Sequence, residues 1–178
     1  MTDCNGDRRS SRAAATWETS MRRLPILAAL LALAAAAPAA AQVKHVGAPT
    51  APIAKAVVVP PGYTTVYVSG ITPQPSSAGP PPVFGDTKAQ TISILTQIQD
   101  ILKAEGLTMG DVVMMRVLLV GDPAKEGKMD FAGMMEGYKM FFGTAEQPNK
   151  PARVTSQVAA LVAPQLLVEI EVQAVKKP

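Results

Sequence analysis

The sequence predicts an α+β domain of order β-β-α-β-α-β-β, with its helices on one face of a mixed sheet. Three observations predict it. Two β-rich runs flank Pro60-Pro61-Gly62; two stretches, 86–106 and 128–143, repeat apolar residues at helical spacing and end on glycine; and each is followed by extended, apolar-rich sequence, 111–120 and 152–174.

The first 41 residues are not part of that domain. Met21-Arg22-Arg23, an apolar run over 24–37 and Ala39-Ala40-Ala41 form the basic, hydrophobic and small-residue regions of a cleavable signal peptide. Residues 1–20 read as an upstream extension, and the mature chain is expected to be periplasmic or secreted, starting with a flexible arm, 42–52, before the domain proper, 53–178. The apolar run is shorter than the ~20 residues that span a bilayer, so no stable membrane insertion is expected after cleavage.

Removing this segment changes the charge balance. The whole chain has 17 basic and 14 acidic side chains, but five arginines and three acids lie before Gln42, which leaves 12 against 11 and a net charge of +1. A nucleic-acid partner therefore loses its compositional support. The single cysteine, Cys4, is also discarded, so neither a disulfide nor a thiol nucleophile is expected. His45, the one histidine, has no second His or Cys to complete a metal site and is expected to be mobile in the arm.

In order, 54–59 and 63–69 are expected to pair as a hairpin across Pro60-Pro61-Gly62, with Tyr63, Thr65, Tyr67 and Ser69 on one face. Residues 71–85, which contain Pro80-Pro81-Pro82, should form an irregular or polyproline-like loop. Asp86 caps a helix that buries Ala89, Ile92, Leu95, Ile98 and Leu102, shows Thr91, Gln97, Gln99 and Lys103 on its polar faces, and stops at Gly106. The run 111–120 suits a strand buried on both faces, one by helices and the other by a neighbouring subunit, where Arg116 would need a partner. A second helix over 128–142 turns Phe131, Met134, Met135, Tyr138, Phe141 and Phe142 inward, its methionines acting as core filler rather than as soft metal ligands.

Near the C-terminus, Gln147-Pro148-Asn149-Lys150-Pro151 prevents a helix and delivers Arg153 to the start of an extended segment. Arg153 is one of two arginines left after residue 41. Its planar five-donor fork at a strand start suits bidentate capture of a carboxylate, although an arginine at this spacing can equally pair with an acid of its own chain.

Five segments carry a resemblance: Val66-Tyr67-Val68-Ser69-Gly70, Gly110-Asp111-Val112-Val113, Tyr138-Lys139-Met140-Phe141-Phe142, Pro151-Ala152-Arg153 and Val168-Glu169-Ile170-Glu171-Val172. In this order they resemble the RidA/YjgF family of reactive-intermediate (imine/enamine) deaminases. The resemblance implies a chorismate-mutase-like fold and a homotrimer whose sheets form a central barrel, with three pockets between subunits. It implies hydrolysis of 2-imino acids or enamines to 2-keto acids and ammonia, with no cofactor and no metal.

Carried over by motif, Arg153 would clamp the substrate carboxylate and Glu169 would position or activate the attacking water, while Ser69 and Gly70 would border the pocket. Two positions depart from the family's pattern: Ile53 stands where an aromatic is usual, and Thr155 where the deaminases often have cysteine. One extra residue also separates Arg153 from Glu169. A small-carboxylate binding protein on the same trimer is the alternative. The ribonuclease activity attached to the family lacks a histidine pair and a basic patch here.

Overall fold

The computed structural model describes residues 41–77 and 79–178; the expected signal peptide, except for its last residue Ala41, lies outside them. A four-stranded mixed sheet carries the domain, in the order β3 (Thr64–Ile71), β6 (Val168–Lys176), β4 (Val112–Val120), β5 (Ala152–Val158). The β3–β6 and β6–β4 pairs are antiparallel and β4–β5 is parallel. Helices α1 (Thr87–Ala104) and α2 (Phe131–Tyr138) share one core with a single sheet face. Val68, Met115, Val117, Ile170 and Val172 meet Ile94, Leu95, Ile98, Leu102, Met134 and Tyr138 there. The predicted class and the one-sided placement of the helices are therefore found.

The first hairpin pairs differently from expectation. β2 (Ala56–Val58) pairs with β1 (Lys44–Val46), a strand inside the stretch expected to be a flexible arm, and β3 pairs with β6. The arm is tied down by side chains as well as by the ladder: His45 Nδ1 lies 2.8 Å from the Lys150 carbonyl, and Lys150 Nζ donates to the carbonyls of Pro49 (2.7 Å) and Ala51 (2.8 Å). His45 is thus a structural hydrogen-bonding residue rather than a mobile one.

Both ends of α1 follow from local chemistry. The Asp86 carboxylate accepts from the Ala89 N–H at 2.8 Å. At the other end Gly106, at φ +73°, lets its own N–H reach the Lys103 carbonyl and the Leu107 N–H reach that of Leu102. The buried stripe is rotated from the predicted one, since Thr87, Gln90 and Thr91 are buried and Ala89 is exposed. Burial of these polar groups is tolerated because they are bonded. Thr91 Oγ1 donates to the Thr87 carbonyl (2.7 Å); Gln90 donates to the carbonyls of Gly85 and Gln165 and accepts from the Leu167 N–H.

Helix α2 is shorter than the pattern suggested. Asp130 caps it through the Gly133 N–H (3.1 Å), and after Tyr138 the chain turns toward Gly143 at φ +73°. Gly137 has no room for a Cβ against Thr91, which brings the two helices close. Residues 71–85 form an irregular loop that is pinned to α1, with Gln74 bonded to Ser93 and Gln97, and Gln97 to the Thr72 carbonyl.

Strand β4 is buried on its helix-facing side, and its other side, where a neighbouring subunit was expected, is partly exposed in the single chain. Val113, Met115, Val117 and Leu119 face the core, whereas Met114, Leu118 and Val120 are half-exposed and Arg116 is exposed on the other side. Arg116 finds the partner it was expected to need: it sits opposite Glu171 in the ladder, and their side chains pair at 2.6 Å.

Candidate functional site

Register decides where each candidate side chain goes. Arg153 lies opposite Met115, and Thr155 opposite Val117, so both share the helix-facing side of edge strand β5. Glu169 lies opposite Leu118, on the far side. Within one chain, then, Arg153 and Glu169 occupy opposite faces of the sheet, and no single pocket of one chain holds both.

The Arg153 guanidinium rests on α2. Its Cζ stands 4.4 Å from the centroid of the Tyr138 ring and 5.9 Å from that of Phe131, while Nη2 is 3.1 Å from Met135 Sδ and Nη1 3.9 Å from Met134 Sδ. None of the three ion pairs among the described residues includes it. Burial lowers its pKa, as expected for a cation moved out of water, with Tyr138 opposing that shift. Burial likewise pushes the Tyr138 phenol up to about 12, Arg153 pulling the other way, so the phenol is neutral at physiological pH.

Charge without an acid partner is unusual for a half-buried arginine. Sulfur is a weak acceptor and an aromatic face offers only a quadrupole, so the fork keeps donors for an incoming anion. Two hydroxyls nearby in the fold share this lack of partners: Tyr138 OH and Thr155 Oγ1 are buried with no hydrogen bond among the described residues. Phe131, Met135 and Tyr138, three of the four groups touching the guanidinium, also line a cleft of about 550 Å³ closed on its other side by residues 49–52 and Lys150. That volume lies in the range of small-molecule sites and has ample room for a small organic acid.

The second cluster forms where β3 bulges. Val68 pairs with Val172 and Ile71 with Ile170, so Ser69 and Gly70 together face Glu171 alone. A Cβ on Gly70 would overlap the Glu169 carboxylate, which is what the glycine is for: the carboxylate rests against its bare Cα. Gly70 and Glu169 are therefore in contact, with Ser69 beside Gly70 in the bulge.

Ile53 belongs to neither cluster. It lines a cleft of about 330 Å³ with His45, Asn149 and Lys150, which adjoins the first along Pro49, Gly143 and Lys150 and runs by the start of β5, where the Ala54 N–H donates to the Pro151 carbonyl at 3.0 Å. The sequence had marked Phe131, Met135 and Tyr138 only as core filler. Their heptad-like spacing on one helix face was visible, but not that this face would meet an arginine.

Comparison with known proteins adds four matches. Residues 36–176 match the model of a family described as Endoribonuclease L-PSP. A RutC family protein of Pyrococcus abyssi is 35% identical over 112 residues, covering 63% of this chain and 79% of that protein. Among solved structures, a member of the conserved Rid protein family from Yersinia pestis is similar at a TM-score of 0.57 and 26% identity, covering 75% of this chain and 98% of that one. Escherichia coli TdcF, solved with bound serine, is similar at a TM-score of 0.50 and 30% identity, covering 75% of this chain and 99% of its own.

Proposed function

Since the chain belongs to the RidA/YjgF family, the one whose model is described as Endoribonuclease L-PSP, we propose that it hydrolyses 2-imino acids to 2-keto acids and ammonia, with Arg153 as the carboxylate clamp. The observation that carries this reading is the state of that guanidinium: desolvated, laid on an aromatic ring, without an acid partner among the described residues, and beside an open cleft. A relative that holds serine, which presents a carboxylate next to an amino-bearing carbon, supports a ligand of this size and charge.

The chemistry asks little of the protein. An imine carbon is already electrophilic, so holding the substrate and supplying a placed water accounts for most of the catalysis. Arg153 neutralises the carboxylate and thereby strengthens electron withdrawal from the adjacent carbon. Glu169 takes a proton from the attacking water and passes it to nitrogen as the oxygen adds to the imine carbon; the resulting carbinol O–H then gives up its proton, by way of Glu169, to the same nitrogen, so that C=O forms as the C–N bond breaks and ammonia leaves. No step calls for a redox partner.

Because Arg153 and Glu169 lie on opposite faces of one sheet, a site using both is shared between two copies, which in this proposal are neighbours in a homotrimer. The expected periplasmic location belongs to the same proposal. Ile53, in place of the family's aromatic, keeps a binding protein without turnover as the second reading, because it removes a possible donor from that edge of the domain.

An imine generated in situ by an amino-acid oxidase separates the two. Keto-acid and ammonia release should accelerate with the wild-type protein, fall by about a hundredfold with Arg153→Ala, and recover only in part with Arg153→Lys, whose point charge does not reproduce the planar fork. Saturable keto-acid binding without any acceleration would leave the binding protein as the correct reading.

A further inference from the structure

The motif Tyr138-Lys139-Met140-Phe141-Phe142 has no part in the chemistry above, yet two of its members form a stack that ends on the arginine. The rings of Tyr138 and Phe142, one helical turn apart, lie 4.9 Å apart and 17° from parallel. Both are buried, at 1% and 3% exposure. The guanidinium also sits over the Tyr138 ring, 4.4 Å from its centroid. The Tyr138 hydroxyl makes no hydrogen bond among the described residues, so what this residue gives Arg153 is its face.

We propose that Tyr138, backed by Phe142, is a positioning residue: its ring, not its hydroxyl, fixes the plane of Arg153 so that the fork meets a carboxylate without searching. The inference rests on Arg153 being the carboxylate clamp. Physically, a long side chain loses rotamer freedom when it grips a ligand, and a ring that has already fixed the guanidinium plane removes part of that loss. An acid in the same place would fix the plane too, but would compete with the ligand for the donors. An aromatic face holds the cation without occupying its in-plane N–H groups, which here meet the weak acceptors Met134 Sδ and Met135 Sδ rather than an acid.

Two measurements test it. After residue 41 the chain has only Arg116 and Arg153, so arginine side-chain NMR reads the clamp directly. The Arg153 Nε–H should show an upfield ring-current shift and slow exchange in the wild type and in Tyr138→Phe, and lose both in Tyr138→Leu. Titration with pyruvate, and with neutral pyruvamide as the comparison, should give Tyr138→Phe near wild-type affinity. Tyr138→Leu should bind pyruvate about tenfold more weakly, the scale of one lost cation–π contact, with pyruvamide unaffected. Should Tyr138→Leu fail to fold, Phe142→Leu removes the backing ring instead and should shift both readouts the same way by less. A Leu variant that matches the wild type, or a Phe variant as impaired as Leu, overturns the proposal. Pyruvate that binds no variant while the NMR pattern holds overturns the clamp and leaves the stack.

Discussion

Gly70 shows how much of the candidate site depends on the absence of an atom. The bulge sets Ser69 and Gly70 against one residue of β6, and the Glu169 carboxylate fills the space where a Cβ would stand. Gly70→Ala should therefore push that carboxylate aside. The displaced atoms are the end of a flexible side chain, so stability should change by no more than ~1 kcal/mol in thermal melts. Turnover of the oxidase-generated imine should drop by about tenfold or more, with KM little changed, since the carboxylate clamp is elsewhere. A drop in melting temperature with kcat intact would mean that Glu169 is not at the water. The two arginines show what was legible at this scale. That Arg116 needs a partner, and that Arg153 suits an anion, follow from residue type and local pattern. Which of them would find an acid does not, because Glu171 reaches Arg116 only through the β4–β6 register, a contact between distant segments.

At the scale of elements, caps were readable and faces were not. Asp86 and Gly106 act within a few residues of themselves, so the bounds of α1 follow from sequence. Its buried face was misjudged because Gln90 and Thr91 count as polar until their partners are known. The first hairpin failed for a related reason: Pro60-Pro61-Gly62 signals a turn, but β2 has only three residues and its ladder is completed by β1, across the 47–55 loop. Gln90 is the test of this level. It joins the start of α1 to the segment before β6 through three hydrogen bonds, with the side chain fully buried. Gln90→Leu should leave the Leu167 N–H and two carbonyls unpaired and cost about 2 kcal/mol or more in urea unfolding. Thr96→Ala, on the exposed side of the same helix, should stay within ~0.5 kcal/mol. Equal effects would remove Gln90 from its role as the tie.

For the whole molecule the question is what lies against the sheet face that the helices leave uncovered. Tyr67 is 74% exposed and Val154 47%, and Met114, Leu118 and Val120 are half-exposed around the Arg116–Glu171 pair. An antiparallel face that meets water is usually polar, so this apolar composition suits contact with further copies of the chain. The opposite-face placement of Arg153 and Glu169 turns the proposed trimer into a kinetic prediction. In a ring of three, each shared site would draw Arg153 from one subunit and Glu169 from the next. Arg153→Ala and Glu169→Gln should each be inactive alone. When the two variants are co-expressed and assemble at random, about a quarter of the sites pair an intact arginine with an intact glutamate, by the symmetry of a closed ring. Activity should return to roughly that fraction of wild type. If instead both groups served one site from the same chain, every site in every mixed ring would lack one of them, and the mixture would stay as inactive as its parts.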